Sequence, residues 1–137
     1  MACKGWRPRN LPELKHADNT YPDMLVERQG EKRWVDVKSK SGTSHYRRGG
    51  YDVTGFPLSH WRRYHNIQMR TGTPVWIFFM HRQEGEVRAT SISRLESAIS
   101  HIWADGNMIY FKIAGIPQLA SYREIMERRG AEGDIHD

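Results

Sequence analysis

The stretch YPDMLVERQGEKRWVDVKSK, residues 21–40, decides how the rest of the chain is read. It has the pattern of two strands joined by a tight hairpin. Met24-Leu25-Val26 and Trp34-Val35-Asp36-Val37 are β-prone runs, and Gln29-Gly30-Glu31-Lys32 between them is turn-like. Side chains alternate across a strand, so Trp34, Asp36 and Lys38 share one face while Val35 and Val37 take the other. A loop of two or of four residues sets position 23 opposite 36 or 38, and either register puts Asp23, Asp36 and Lys38 on one face. A three-residue loop without a bulge sends Asp23 to the opposite face.

Two carboxylates and an ammonium gathered beside a half-buried strand are unfavourable to desolvate unless a cation or a functional demand compensates. The plainer alternative is an exposed sheet face carrying alternating charges. The residue before Asp23 and the spacing weigh against that alternative. Pro22-Asp23, twelve residues, then Asp36-Val37-Lys38 resembles the PD-(D/E)XK nuclease signature, a proline-aspartate pair followed by acid-any-lysine.

Composition bounds the other classes. The 137 residues suit one domain with a real core. Lys plus Arg number 21 against 16 acids, a net charge of +5, which favours a polyanionic partner. The single Cys3 excludes an internal disulfide and a multi-cysteine zinc site. The longest apolar run, residues 75–80, suits a buried strand and is far too short to span a membrane. The opening MACKGWRPRN lacks the apolar core of a secretory signal, so the expected location is the cytoplasm, that of the host if the protein is viral. The seven histidines form no HExxH pair, and no P-loop, dinucleotide glycine fingerprint or G-x-S-x-G elbow is present. Isolated histidines of this kind are surface or hydrogen-bonded residues more often than ligands.

In chain order, residues 1–20 form a basic arm with Lys4, Arg7, Arg9 and Trp6, and residues 11–17 can make a short helix carrying Glu13. Residues 39–57 are expected to be a long Gly-, Ser- and Thr-rich loop whose Lys40, Arg47 and Arg48, interleaved with Tyr46, suit a phosphate backbone. Residues 58–71 form the clearest helix, capped by Ser59 and ended by Gly72, with Trp61, Tyr64 and Gln68 on one stripe and Arg62 and Arg63 on the rest. Gln68 needs a partner, either at the carboxylate cluster or at the edge of the core. Residues 74–80 form a central strand and 86–92 a further one. A capping box at Ser93 opens a helix through Trp103, residues 107–113 form a strand, and Pro117 opens a last helix towards Arg129. The tail, 130–137, is polar. The nuclease-like domain thus spans 21–129.

This order of hairpin, basic segment, helix and buried strand follows the PD-(D/E)XK superfamily core. The segment WRRYHNIQMRTGTPVWIFFMHRQEGEV, residues 61–87, is similar to small phage-type members in the style of Holliday-junction resolvases. The resemblance implies an α/β (α+β), restriction-endonuclease-like core: a mixed central sheet flanked by helices, with an extra C-terminal strand and helices. It implies a Mg²⁺- or Mn²⁺-dependent DNA endonuclease, structure-specific for branched or junction DNA or a phage nuclease, acting as a homodimer. Asp23, Asp36, the Val37 carbonyl and a further carboxylate, Glu13 or Glu27, would hold the metal. Lys38 and Gln68 would complete the catalytic set. Lys38 is expected to stay charged and to act by positioning, because the nearby carboxylates oppose a depressed pKa. Two other classes remain: an inactive nucleic-acid-binding module of the same fold, and a basic interaction factor.

Overall fold

The computed structural model describes residues 7–8 and 22–121. Glu13, the remainder of the basic arm, the short helix expected over 11–17, and the chain beyond 121 with the rest of the expected last helix and the tail lie outside the described residues.

The hairpin forms in the two-residue register. Strand β2 (Met24–Arg28) pairs antiparallel with β3 (Glu31–Lys40), Met24 opposite Val35 and Arg28 opposite Glu31. Gln29 and Gly30 make the turn with φ of 52° and 81°. Positive φ at both central positions matches the right-handed twist of the flanking strands. A two-residue strand β1 (Arg7–Pro8) pairs with the outer edge of β2.

Residues 39–57, expected as a loop, instead form a second hairpin, β4 (Ser44–Tyr46) and β5 (Tyr51–Pro57). Gly50, at φ 70°, closes its turn by donating to the Tyr46 carbonyl at 2.8 Å. The glycines and serines that suggest a loop sit at the turn and at the strand ends, while Tyr46, Tyr51, Val53 and Phe56 carry the pairing. Gly55 lies within a strand for a packing reason: a Cβ there would stand 2.5 Å from the Ile109 carbonyl oxygen.

Helix α1 (Leu58–Thr71) follows, and Gly72 ends it in the left-handed conformation, φ 70°, its N–H on the Gln68 carbonyl. Pro57, not Ser59, precedes the first turn, and the Leu58 N–H donates to the Asn107 carbonyl at 2.8 Å. A neighbouring strand end thus replaces the expected side-chain cap. Strand β6 (Val75–His81) then lies parallel to β3, with Trp34 opposite Val75 and Lys38 opposite Phe79, and antiparallel to β7 (Glu86–Ser91). Buried at Val75, Ile77, Phe78 and Phe79, β6 has the central position its apolar run implies.

The expected helix through Trp103 stops early. Helix α2 is only Ile92–Leu95, capped by the Ser91 hydroxyl, which accepts from the Arg94 N–H. A 3-10 turn at Glu96–Ala98 leads into strand β8 (Ile99–Trp103). β8 pairs with β9 (Met108–Lys112), and that pairing, with the β-branched Ile99 and Ile102, overrides the helical spacing. After Pro117 the chain is again a strand, β10 (Gln118–Ser121), on the free edge of β7, and the Ala89 N–H reaches the Pro117 carbonyl.

Two sheets result. One is mixed, in the order β1-β2-β3-β6-β7-β10, and the other is antiparallel, in the order β4-β5-β9-β8. Trp34, Ile77 and Phe79 from the first, Phe56, Ile109 and Phe111 from the second, and Tyr64 and Ile67 from α1 share one core. The other face of the mixed sheet carries Val26, Val35, Phe78, Val87 and Ala89.

Candidate active site

β3 is longer than the partner on its β2 side. β2 begins at Met24, opposite Val35, so from Asp36 onward β3 keeps its β6 neighbour while its other flank meets the loop that carries Asp23. There Asp23 takes over a ladder bond: its Oδ2 accepts from the Val37 N–H at 2.9 Å, and its own N–H points at Asp36 Oδ1, 3.4 Å away. In a strand the N–H and C=O of one residue point to the same side. The Val37 carbonyl is therefore directed at the flank where Asp23 sits. Lys38 extends on the same face as Asp36, its Nζ 3.4 Å from Asp36 Oδ2, with both side chains largely buried at 12% and 13% exposure.

Helix α1 supplies two partners the sequence reading did not single out. The Tyr64 hydroxyl donates to Asp36 Oδ2. His60, one turn earlier, has its Nδ1 2.8 Å from Lys38 Nζ. The Lys38 ammonium also lies 5.2 Å from the centre of the Phe56 ring and 5.3 Å from that of Tyr64. The available signal was modest: Tyr64 falls on the buried stripe of α1, and a buried phenol needs a partner.

Burial, then a hydrogen bond to the adjoining Asp36 carboxyl, pushes the Asp23 carboxyl above the usual range. Burial acts on Asp36 in the same direction. There, hydrogen bonds from Asp23 and Tyr64 and the Lys38 charge outweigh it, and Asp36 ends below its ordinary value. The two carboxyls thus divide unequally, one held towards its protonated form and the other ionised, as close carboxyl pairs do. Burial pulls Lys38 down and outweighs the carboxylates that oppose it, contrary to the sequence expectation. Burial raises the Tyr64 phenol and, with the Lys38 and Arg63 charges, lowers His60.

Gln68 is not at this cluster. Its Oε1 accepts from the Val75 N–H at 2.9 Å and its Nε2 donates to Ser93 Oγ at 3.2 Å, fastening α1 to the start of β6 beside a groove that includes Arg33 and Trp76. It occupies the core-edge position that the sequence leaves open. Glu27 pairs with Lys32 on the hairpin. Lys32 and Asp36 are four positions apart on β3, roughly 13 Å along a strand.

Among the basic residues, Lys40 continues the Asp36–Lys38 face, half-buried, and burial followed by the Lys38 charge lowers it. Arg63 on α1 bears electrostatically on Lys38 and His60, and Arg62 is exposed. Arg47 and Arg48 are exposed in the β4–β5 turn, away from the carboxylate pair in sequence and on the second sheet. Tyr46 stacks on His101, with ring centres 4.1 Å apart.

Among the described residues no three His, Cys, Asp or Glu side chains gather as a metal cluster. The donor set is instead two carboxyls in mutual contact and a strand carbonyl directed to the same flank. Hard oxygen donors of this kind fit Mg²⁺ or Mn²⁺, which also keep waters, and a cation would offset the burial and the Asp36 neighbour that raise Asp23.

No protein-family model matches the sequence, and no curated protein matches it. Among solved structures the chain is similar to Hjc, a Holliday junction resolvase from the archaeal hyperthermophile Archaeoglobus fulgidus. The TM-score is 0.56 and the identity 7%, covering 88% of this chain and 89% of that one. At that identity the likeness establishes the fold, a mixed α+β, nuclease-like core built on one mixed central sheet.

Proposed function

We propose that this chain is a divalent-metal-dependent endonuclease that hydrolyses DNA phosphodiester bonds, with branched or junction DNA as its substrate class. The observation that carries this reading is the convergence of Asp23, Asp36 and Lys38 on the flank of β3 that β2 leaves open. The fold similarity to a junction resolvase supports the substrate class.

Asp23, Asp36 and the Val37 carbonyl would hold the cation, with Glu13 as a further carboxylate. The cation supplies Lewis acidity towards a water and towards the phosphate oxygens. Asp36, kept ionised by Tyr64 and Lys38, provides the anionic ligand at neutral pH. Lys38 presents an ammonium where negative charge grows on the phosphate, in a partly dry setting that strengthens the interaction. Its lowered pKa still leaves positioning the better role, since its ammonium hydrogens already serve Asp36 and His60. Lys40, Arg62 and Arg63 lie on elements bordering this face and would contact phosphates. Arg47, Arg48 and Tyr46, on the hairpin of the second sheet, would extend that contact.

One site cuts one strand, so cutting a junction symmetrically calls for a homodimer. The edge strand β8 offers a surface for that contact, with Ile102 and Trp103 at 53% and 52% exposure.

The test is cleavage of plasmid and four-way-junction DNA in Mg²⁺, Mn²⁺ or EDTA. Asp36→Ala and Lys38→Ala should each lower the rate by at least about 10²-fold while DNA binding persists. Cleavage by either variant at the wild-type rate refutes the assignment. One second reading, an inactive DNA-binding module of the same fold, is favoured by the lack, among the described residues, of a third metal-ligating side chain beside Asp23 and Asp36. It predicts salt-sensitive binding with no metal-dependent cutting.

A further inference from the structure

Asp36 and Lys38 do not hold their positions by the strand alone. His60 and Tyr64 stand at i and i+4 on α1, neighbours on one face of the helix. The Tyr64 hydroxyl donates to Asp36 Oδ2, and that same oxygen faces Lys38 Nζ at 3.4 Å. Lys38 Nζ in turn contacts His60 Nδ1 at 2.8 Å. The result is a closed chain of contacts, His60–Lys38–Asp36–Tyr64, which begins and ends on one helical turn. Asp36 Oδ2 is committed to this chain, whereas Oδ1 lies on the Asp23 side, 3.4 Å from the Asp23 N–H.

The chemistry of each link is determined by its donors. With Lys38 as an ammonium, which can only donate, His60 Nδ1 accepts and a neutral ring carries its proton on Nε2. Lys38 has three N–H groups. Among the described residues Asp36 and His60 engage two, which leaves the third for a ligand. The tyrosine hydroxyl has a single proton and gives it to Asp36, which turns the other carboxylate oxygen towards Asp23.

We propose that His60 and Tyr64 are positioning residues of this site, Tyr64 orienting Asp36 for a divalent cation and His60 holding the Lys38 ammonium towards a phosphate. The assignment rests on the nuclease reading for what is positioned, and on geometry alone for what does the positioning. It also gives α1 a part in the site through His60 and Tyr64, while Gln68, which the resemblance puts in the catalytic set, bonds to Val75 and Ser93.

Tyr64→Phe keeps the buried ring and removes the hydroxyl alone. Titration of the metal-free chain with Mn²⁺ by calorimetry, with no DNA present, should show affinity reduced about tenfold or more, as is usual when an outer partner of a ligand is removed. For His60, ¹⁵N-resolved imidazole spectra should show a single Nε2–H tautomer in the wild type and a tautomer mixture in Lys38→Met. On junction DNA under single-turnover conditions, His60→Ala should cut at least about tenfold more slowly with unchanged DNA affinity. His60→Gln, whose side-chain carbonyl can accept from Lys38, should recover most of that loss.

A merely structural role predicts lower melting temperatures with Mn²⁺ affinity and tautomer unchanged. Mn²⁺ affinity in Tyr64→Phe within twofold of wild type overturns the Tyr64 half, as does a wild-type chain that takes up no Mn²⁺. The same tautomer mixture with and without Lys38 overturns the His60 half. If the wild-type chain cuts nothing yet both metal and tautomer readouts move as stated, the positioning assignment stands and the nuclease reading fails. If it cuts and neither variant changes affinity, tautomer or rate, the nuclease reading stands and this one fails.

Discussion

Asp23 shows the conflict between stability and chemistry within one side chain. Its Oδ2 secures the Val37 N–H, yet its charge sits against Asp36 and its pKa is raised. Burial and the adjoining Asp36 carboxyl disfavour its ionised form in the folded chain, and the unfolded chain bears neither. Asp23→Asn keeps an oxygen for Val37 and removes the charge. The metal-free variant should be slightly more stable, by less than about 1 kcal/mol for so exposed a group, while cleavage is abolished. Urea unfolding in EDTA alongside a cleavage assay checks both halves. His81 raises a different conflict. It is fully buried, its Nε2 lies 2.8 Å from Thr54 Oγ1, and its Nδ1 meets no hydrogen-bond partner among the described residues. Burial lowers its pKa; Glu84 and Glu86 oppose the shift, and Arg88 and Lys40 add to it. Below the unfolded value of about 6.5, the unfolded chain takes up a proton that the folded chain refuses, so stability falls as pH falls. Unfolding free energies at pH 7 and pH 5 should differ with a limiting slope of about 1.4 kcal/mol per pH unit. His81→Leu should flatten that slope, and an unchanged slope would place its source elsewhere.

At the scale of elements, local signals and pairing signals part company. α1 begins and ends where its sequence says, because Gly72 and Pro74 stop a helix whatever surrounds it. Its start has a tertiary contact in place of a cap, so Ser59→Ala should change stability by less than about 0.5 kcal/mol. Ser91 is the working cap, of α2, and Ser91→Ala should cost about 1 kcal/mol. A thermal denaturation series that ranks the two the other way round would contradict the cap assignment. The β6 run and the 21–40 hairpin were legible because period and turn chemistry are contained within each segment. β4, β8 and β10 were not. Tyr46, Ile102 and Leu119 become strand residues only because β5, β9 and β7 offer edges that are remote or ambiguous in sequence. The same limit explains Gln68. Its stripe on α1 was visible, but whether it met carboxylates or the β6 amide depended on how α1 crosses the sheet.

For the whole molecule, the net charge of +5 and the Arg and Lys residues near the carboxylates argue for association with a polyanion. Binding to duplex or junction DNA should weaken steeply with salt. Replacing Arg62 and Arg63 by Ala should lessen the log–log slope by about 0.9 for each phosphate no longer neutralised. Fluorescence anisotropy between low and moderate salt measures it, and an unaltered slope would remove those residues from the interface. The folding of the second sheet onto the first decides what surrounds the site. Phe56 reaches Phe79 and the Lys38 ammonium, and Thr54 reaches His81. The sequence by itself determined that Asp36 and Lys38 share a face, since side-chain alternation is local geometry, and it joined Asp23 to them only for an even-numbered turn. It determined equally that residues 58–71 are helical and 75–80 buried. Only the tertiary structure decided that β2 ends in time to open the flank beside Asp36, that 39–57 docks on β9 as a hairpin, and that His60 and Tyr64 grip the two charged groups. Those outcomes depend on pairing and packing between distant segments, whose energies no local pattern contains.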